Sequence, residues 1–307
     1  MQLNSKISSV SDYLSVLNEL NSSYPASPTD CKFIYRGMSS IDYALLPSIF
    51  RKSRDFDLSI DKSVDNDRYT AYATERQILQ AFISEACAYV KKDPGKNLRQ
   101  WVEYAQHYGV PTRFLDWTEN PLVALYFACK DHKHSYQSPD LGGADGAVWM
   151  IHLSNYRRFA HQIDGILYGA DSKERLTISA TIEKVYQGEE RFQYPIVYKP
   201  YYTDLRMSAQ ASMFMVWGRE KAPLDSLLNN QPMLQSNKSS DGVRRYCDQS
   251  DEIYFKFIIY KDCKQSILRE LEHCGVSEKT LFPGLDGIGR YIEMKYRFDL
   301  EEAKEWL

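Results

Sequence analysis

Hydrophobic positions along the 307-residue chain recur with two periods, and each change of period marks an element. Tyr13, Val16, Leu17 and Leu20 repeat at helical spacing behind Ser9-Val10-Ser11-Asp12, which has the form of a capping box. This predicts an N-terminal helix within residues 1–25, ended by Tyr24-Pro25. Lys32-Phe33-Ile34-Tyr35 reads as extended and runs into Arg36-Gly37, while Tyr43 to Arg51 reads as mixed strand and turn. Ile78, Leu79, Phe82 and Ala86 predict a longer helix from about Thr74 to Val90, with Glu75 and Arg76 in its first turn. A further helix is expected over Leu98–Tyr108, closed by Gly109 as its C-cap.

The stretch from Gln106 to His132 breaks the regularity. His107, Thr112, Arg113, Asp116, Trp117, Thr118 and Asn120 crowd against an apolar run, as expected where a strand turns into a helix and a site is built on the turn. Arg113 to Trp117 reads as the strand. Asn120-Pro121 reads as an N-cap with proline at the first helical position. Leu122, Leu125, Tyr126 and Cys129 then form one apolar stripe, and Ala124 and Ala128 one turn apart leave room for a close neighbour. Farther on, Gly146–Leu153, Ile196–Tyr198, Met213–Trp217 and Glu252–Tyr260 read as strands, Cys263–His273 as a helix and Ile288–Tyr296 as a final helix or strand. Residues 218–251, polar and aperiodic, are expected to form an exposed insertion. No repeat or linker divides the chain, so a single α+β domain over 1–307 is expected.

Composition narrows the function classes. A net charge of -3 gives no general basic field for non-specific nucleic-acid binding, although it leaves a local basic groove open. No apolar run approaches the ~20 residues of a membrane span, and MQLNSKISSVSDYL lacks a signal-peptide core, so a cytoplasmic protein with no membrane partner is expected. Six cysteines without C-x-x-C spacing predict reduced, mostly buried thiols, and no metal is expected.

Three segments carry a resemblance: Tyr35-Arg36-Gly37, the block from His107 to Ala128, and Leu281-Phe282-Pro283-Gly284-Leu285-Asp286-Gly287. Together they resemble the FRG domain family. The layout is more distantly similar to the ADP-ribosyltransferase fold, which implies a central split antiparallel sheet flanked by helices, with NAD as substrate or ligand. In that fold a first strand supplies Arg or His, a second carries Ser or Thr before a helix, and a third supplies an acid. Arg36 matches the first and Leu115-Asp116-Trp117-Thr118 the second. Arg206 to Val216 resembles the third, although Gln210-Ala211-Ser212 stands where Gln-x-Glu would be expected.

The resemblance assigns roles. Arg36 beside Gly37 would meet the diphosphate, Thr118 a ribose hydroxyl, and Tyr35, Tyr108 or Trp117 a ring of the ligand. Arg113, Arg206 and Gln210 are further binding candidates. Asp116 and Glu75 are the substitutes for the missing acid, and His107 is a proton carrier. Structural readings stand beside these: Arg36 as a surface ion-pair residue, an Arg113–Asp116 salt bridge, His107 as a helix-end cation, and Thr118 and Asn120 as caps. The leading functional expectation is an NAD-binding ADP-ribosyltransferase-like toxin or effector of bacterial or phage conflict. It would modify a nucleic acid or protein and have an antitoxin or other defence protein as a possible partner. The alternative is a non-catalytic nucleotide- or protein-binding module on the same fold. A metal-dependent nuclease ranks third, because no carboxylate cluster has metal-ligand spacing.

Overall fold

The computed structural model describes residues 6–23, 33–51, 67–90, 95, 97–130, 144–164, 177–188, 192–229 and 253–296. Its centre is a seven-stranded sheet in the order β1-β7-β4-β2-β3-β6-β5. The strands are β1 (Lys6–Ile7), β2 (Phe33–Met38), β3 (Phe114–Thr118), β4 (Gly146–His152), β5 (Ile196–Tyr198), β6 (Ser212–Val216) and β7 (Tyr254–Ile259). All neighbours run antiparallel except β1 and β7. The expected α+β architecture with a split antiparallel sheet is therefore what forms. The split lies between β2 and β3. Six residue pairs join β2 to β4 and five join β3 to β6, whereas the single pair Tyr35–Thr118 joins β2 to β3.

Helices cover each half of the sheet separately. Over β2, β4 and β7 lie α1 (Val10–Ser23), α4 (Pro121–Cys129) and α9 (Lys264–His273), around Tyr35, Met150 and Phe257. Over β3, β5 and β6 lie α2 (Asp67–Ala86), α3 (Leu98–His107) and α6 (Ile178–Tyr186), around Phe114, Phe214 and Val216. A third cluster joins Leu115, Trp117 and Trp149 to α5 (Leu153–Asp164) and α8 (Leu224–Asn229). Strand alternation explains how Phe114 and Leu115 enter different clusters.

The helix α4 begins as its sequence predicts, with Asn120 accepting from Leu122 N–H at 2.9 Å and Pro121 at the first position. It is buried on nearly all sides rather than along one stripe, because β2 and β4 press on it directly. A Cβ on Gly37 would sit 1.8 Å from the Ala124 carbonyl oxygen, and one on Gly146 would sit 2.3 Å from that of Ala128. Gly37 is thus needed where helix meets strand, a packing reason for glycine at this position. The helix α3 ends at Gly109, whose φ of 79° suits glycine.

Several expectations shift. The helix α2 begins before Thr74, so Glu75 is internal to it rather than in its first turn. Ser48–Phe50 forms a 3-10 turn, with no strand. Residues 218–229 are not an exposed excursion: Leu224 and Leu228 of α8 are buried, and the remainder of that expected insertion lies outside the described residues. The last element among the described residues, α11 (Leu285–Tyr296), is a helix and follows the short α10 (Glu278–Leu281). Among the described cysteines Cys129 is buried, while Cys87 and Cys274 are exposed, against the expectation of mostly buried thiols. No helix among the described residues is long and apolar enough to cross a membrane.

Candidate functional site

Where β2 and β3 part, backbone pairing stops and a hollow opens between the two helical groups. The inner part, about 220 Å³, is lined by Tyr35, Arg36, Gly37, Asp116, Thr118, Phe127, Arg206, Gln210 and Ser212 among others. An outer part of about 580 Å³ adds Arg51 and Tyr108 and shares Arg36, Gln106, His107, Asp116 and Arg206 with the inner one. Volumes of this order suit small-molecule ligands (~300–1,000 Å³). The short α7 (Leu205–Ala209) brings Arg206 in, and the turn from α7 into β6 brings Gln210 and Ser212. Ala211, in that turn, has a φ of 45°.

Arg36 bridges the split by donating from Nη1 to the Asp116 carbonyl oxygen. Its Nε is buried and has no hydrogen-bond partner among the described residues. Burial pushes the guanidinium down to about 10, against the upward pull of the Asp116 carboxylate, so it remains a cation at neutral pH. Arg206 is likewise lowered by burial and attracted by Asp116. Arg51, which sequence reasoning missed, donates from Nε to Leu46 O at 2.9 Å and lines the outer hollow. Three arginines therefore face one carboxylate, since Asp116 is the only acidic residue among the described lining residues. Asp116 is exposed and accepts from Gln106 Nε2 at 2.8 Å.

Thr118 is buried and committed: its Oγ1 donates to Gln210 O at 2.6 Å and accepts from Asn120 N–H at 3.0 Å. The hydroxyl fastens β3 to the α7–β6 turn and to the start of α4. Gln210 donates to Leu281 O at 3.0 Å. Tyr35 and Trp117 are buried lining residues, and Trp117 Nε1 has no partner among the described residues. Tyr108 is 68% exposed at the outer rim.

Two sequence candidates are not brought to the hollow. Glu75 and Arg113 form a buried ion pair (Oε2 to Nη2, 2.7 Å), in which Glu75 also accepts from Arg113 N–H at 3.0 Å and Tyr186 OH at 2.7 Å. Arg113 therefore pairs with Glu75 and not with Asp116, and both side chains belong to the interior under α2 and α6.

His107, at the end of α3, is half-buried with Nε2 3.5 Å from Asp204 Oδ1. Burial lowers its pKa from the ordinary value, Asp204 opposes this and Arg206 adds to it. The folded state thus binds fewer protons here than the unfolded chain, so its contribution to stability is present above about pH 6.5 and is lost as pH falls below that value. An NMR titration should show a His107 midpoint below that of an unfolded peptide. A midpoint at or above the peptide's would contradict this electrostatic account.

Residues 31–137 match the family model of the FRG domain. Over that span the chain is similar to the FRG domain. The matched span includes β2, α3, β3 and α4, hence Arg36, His107, Asp116 and Thr118, while Arg206 and Gln210 of the same hollow lie beyond it. No curated protein and no solved structure matches the chain. Among the described residues no group of three or more His, Cys, Asp or Glu side chains could hold a metal ion.

Proposed function

We propose that this protein binds NAD in the split between β2 and β3 and acts as an ADP-ribosyltransferase-like effector. The observation that carries the reading is the excess of cations: Arg36, Arg51 and Arg206 surround a hollow with Asp116 as its one described carboxylate, and Arg36 holds a buried Nε with no partner among the described residues. A desolvated guanidinium with a spare donor favours an anion, and a diphosphate offers several acceptors at once. Tyr35 and Phe127 inside, and Tyr108 at the rim, offer ring faces to a base or to nicotinamide.

Cleavage of the nicotinamide–ribose bond develops positive charge on the ribose. Asp116 is the carboxylate placed to stabilise that charge, and Gln106 holds it in orientation. His107, favoured in its neutral form, can accept a proton from an acceptor group at the rim. An acceptor of nucleic acid or protein and a role in bacterial or phage conflict complete the proposal.

A specific observation favours a second reading, that of a nucleotide-binding module without turnover: buried Ser212 occupies the position of the expected glutamate and pairs in register with Thr118.

Calorimetric titration with NAD, combined with chromatography for released nicotinamide, tests both. Arg36→Ala should weaken NAD binding about tenfold to a hundredfold, with an unchanged circular dichroism spectrum. Undiminished affinity in a folded Arg36→Ala protein, or no NAD binding by the wild type, would end the proposal. Binding without nicotinamide release would select the second reading. Growth arrest on expression, relieved by Arg36→Ala, is the expected cellular counterpart.

A further inference from the structure

Arg206 reaches the hollow from α7, outside the span matched by the FRG family model. Its Nη1 donates to His107 O at 3.4 Å, and its Cζ lies 4.6 Å from the centroid of the Phe282 ring. Carboxylates act on it without a direct bond to the guanidinium: Asp116, Asp204 and Glu278. Phe282 sits in the loop between α10 and α11, and that loop is fixed from several sides. Its ring meets Phe127 edge to face at 6.1 Å, and Leu281 O accepts from Gln210. A Cβ on Gly287 would lie 1.8 Å from Phe282 O, so α11 packs against the loop backbone.

The same ring also meets Lys130 at 4.9 Å and Arg290 at 5.1 Å. These two cations differ from Arg206 in having a buried carboxylate: Glu278 binds Lys130 Nζ at 2.5 Å and Arg290 Nε at 2.6 Å, and accepts from Tyr126 OH at 2.5 Å. Burial alone would raise the Glu278 carboxyl, but these bonds bring it below its ordinary value. Glu278 thus neutralises Lys130 and Arg290, which do not line the hollow. Arg206, which lines it, is held by the ring's π system, which orients a guanidinium without cancelling its charge. A carboxylate in that place would orient it equally well and remove the charge a ligand needs.

We infer that Phe282 is a positioning residue for anion binding: it holds Arg206 in the hollow with no carboxylate bonded to the guanidinium, and the α10–α11 segment thereby sets the cavity's affinity for phosphate-bearing ligands. The inference rests on the anionic-ligand reading of the same hollow and extends it to a segment that touches no ligand.

The test uses the full chain with two probes, NAD by calorimetry and inorganic pyrophosphate by thermal shift. Phe282→Leu should weaken both about tenfold, Phe282→Tyr should restore them, and Phe282→Leu should have no further effect in an Arg206→Gln background. Equal losses in both backgrounds would mean that Phe282 acts only through folding, and would overturn the inference while leaving the NAD reading intact. Pyrophosphate binding that shows this coupling in a protein that ignores NAD would uphold the inference and discard the NAD reading. A wild-type protein that binds neither probe would overturn both.

Discussion

Glu75→Ala is expected to lower unfolding free energy by about 3–5 kcal/mol, because it removes the carboxylate that balances the buried Arg113 guanidinium and leaves the Val185 and Trp217 carbonyl oxygens as acceptors of Nη1. The two side chains are 2% and 1% exposed and 2.7 Å apart. Tyr186, whose ring lies 4.5 Å from the Arg113 Cζ, loses the acceptor for its hydroxyl in the same step. The Arg113 backbone N–H also loses its acceptor, Glu75 Oε1, at the residue before β3 begins. Natural domains are stable by only about 5–15 kcal/mol, so the loss is a large share of the whole. Removing both charges, as in Glu75→Leu with Arg113→Met, should recover most of the stability, since the desolvation cost disappears together with the attraction. Urea unfolding of the wild type and the two variants measures these differences. A drop below about 1 kcal/mol for Glu75→Ala would mean that water or another group compensates Arg113. NAD affinity per folded molecule should stay unchanged, because neither residue lines the hollow.

That pair also shows where sequence reading reaches its limit. Glu75 and Arg113 were reasonable site candidates because both are charged and one lies in the motif from His107 to Ala128. Their separation of 38 positions is closed by tertiary packing alone, for which no local pattern exists. The elements that could be read in advance have local causes: Asn120-Pro121 starts α4, Gly109 ends α3, and alternating or continuous apolar runs mark β4, β6 and β7. The three-way convergence of Arg36, Thr118 and Gln210 was legible through the family resemblance, and the pair Tyr35–Thr118 with the bond from Thr118 to Gln210 supplies its geometry. Arg51 gave no signal, because it follows an irregular 3-10 turn and reaches the rim through a bond to Leu46 O. Phe282 was visible as part of a motif. Its place among three cations has no local sequence pattern, because Lys130, Arg206 and Arg290 come from separate segments.

Gly37→Ala should destabilise the protein by about 3 kcal/mol or more, although it adds one methyl group. The new Cβ would meet the Ala124 carbonyl oxygen at 1.8 Å and the Ala128 nitrogen at 2.6 Å. Both are backbone atoms in a buried helix, so no rotamer change relieves the contact. The helix α4 must move as a body or β2 must bend away. Either motion disturbs the split, because Thr118 ties β3 to Asn120 at the helix start and Arg36 ties β2 to Asp116. Gly289→Ala in α11 is the matched control: a Cβ there meets nothing within 4 Å, and alanine should stabilise the exposed helix by up to about 1 kcal/mol. Differential scanning calorimetry with and without NAD separates packing from ligand contact. If Gly37 serves helix packing, Gly37→Ala lowers the melting temperature in the absence of ligand. If it served as an open approach for an anion, the unliganded protein would melt as the wild type does and only the NAD-dependent increment would vanish. The 1.8 Å approach of a Cβ to the Ala124 carbonyl oxygen gives Gly37 a packing role that holds whether or not a ligand is bound.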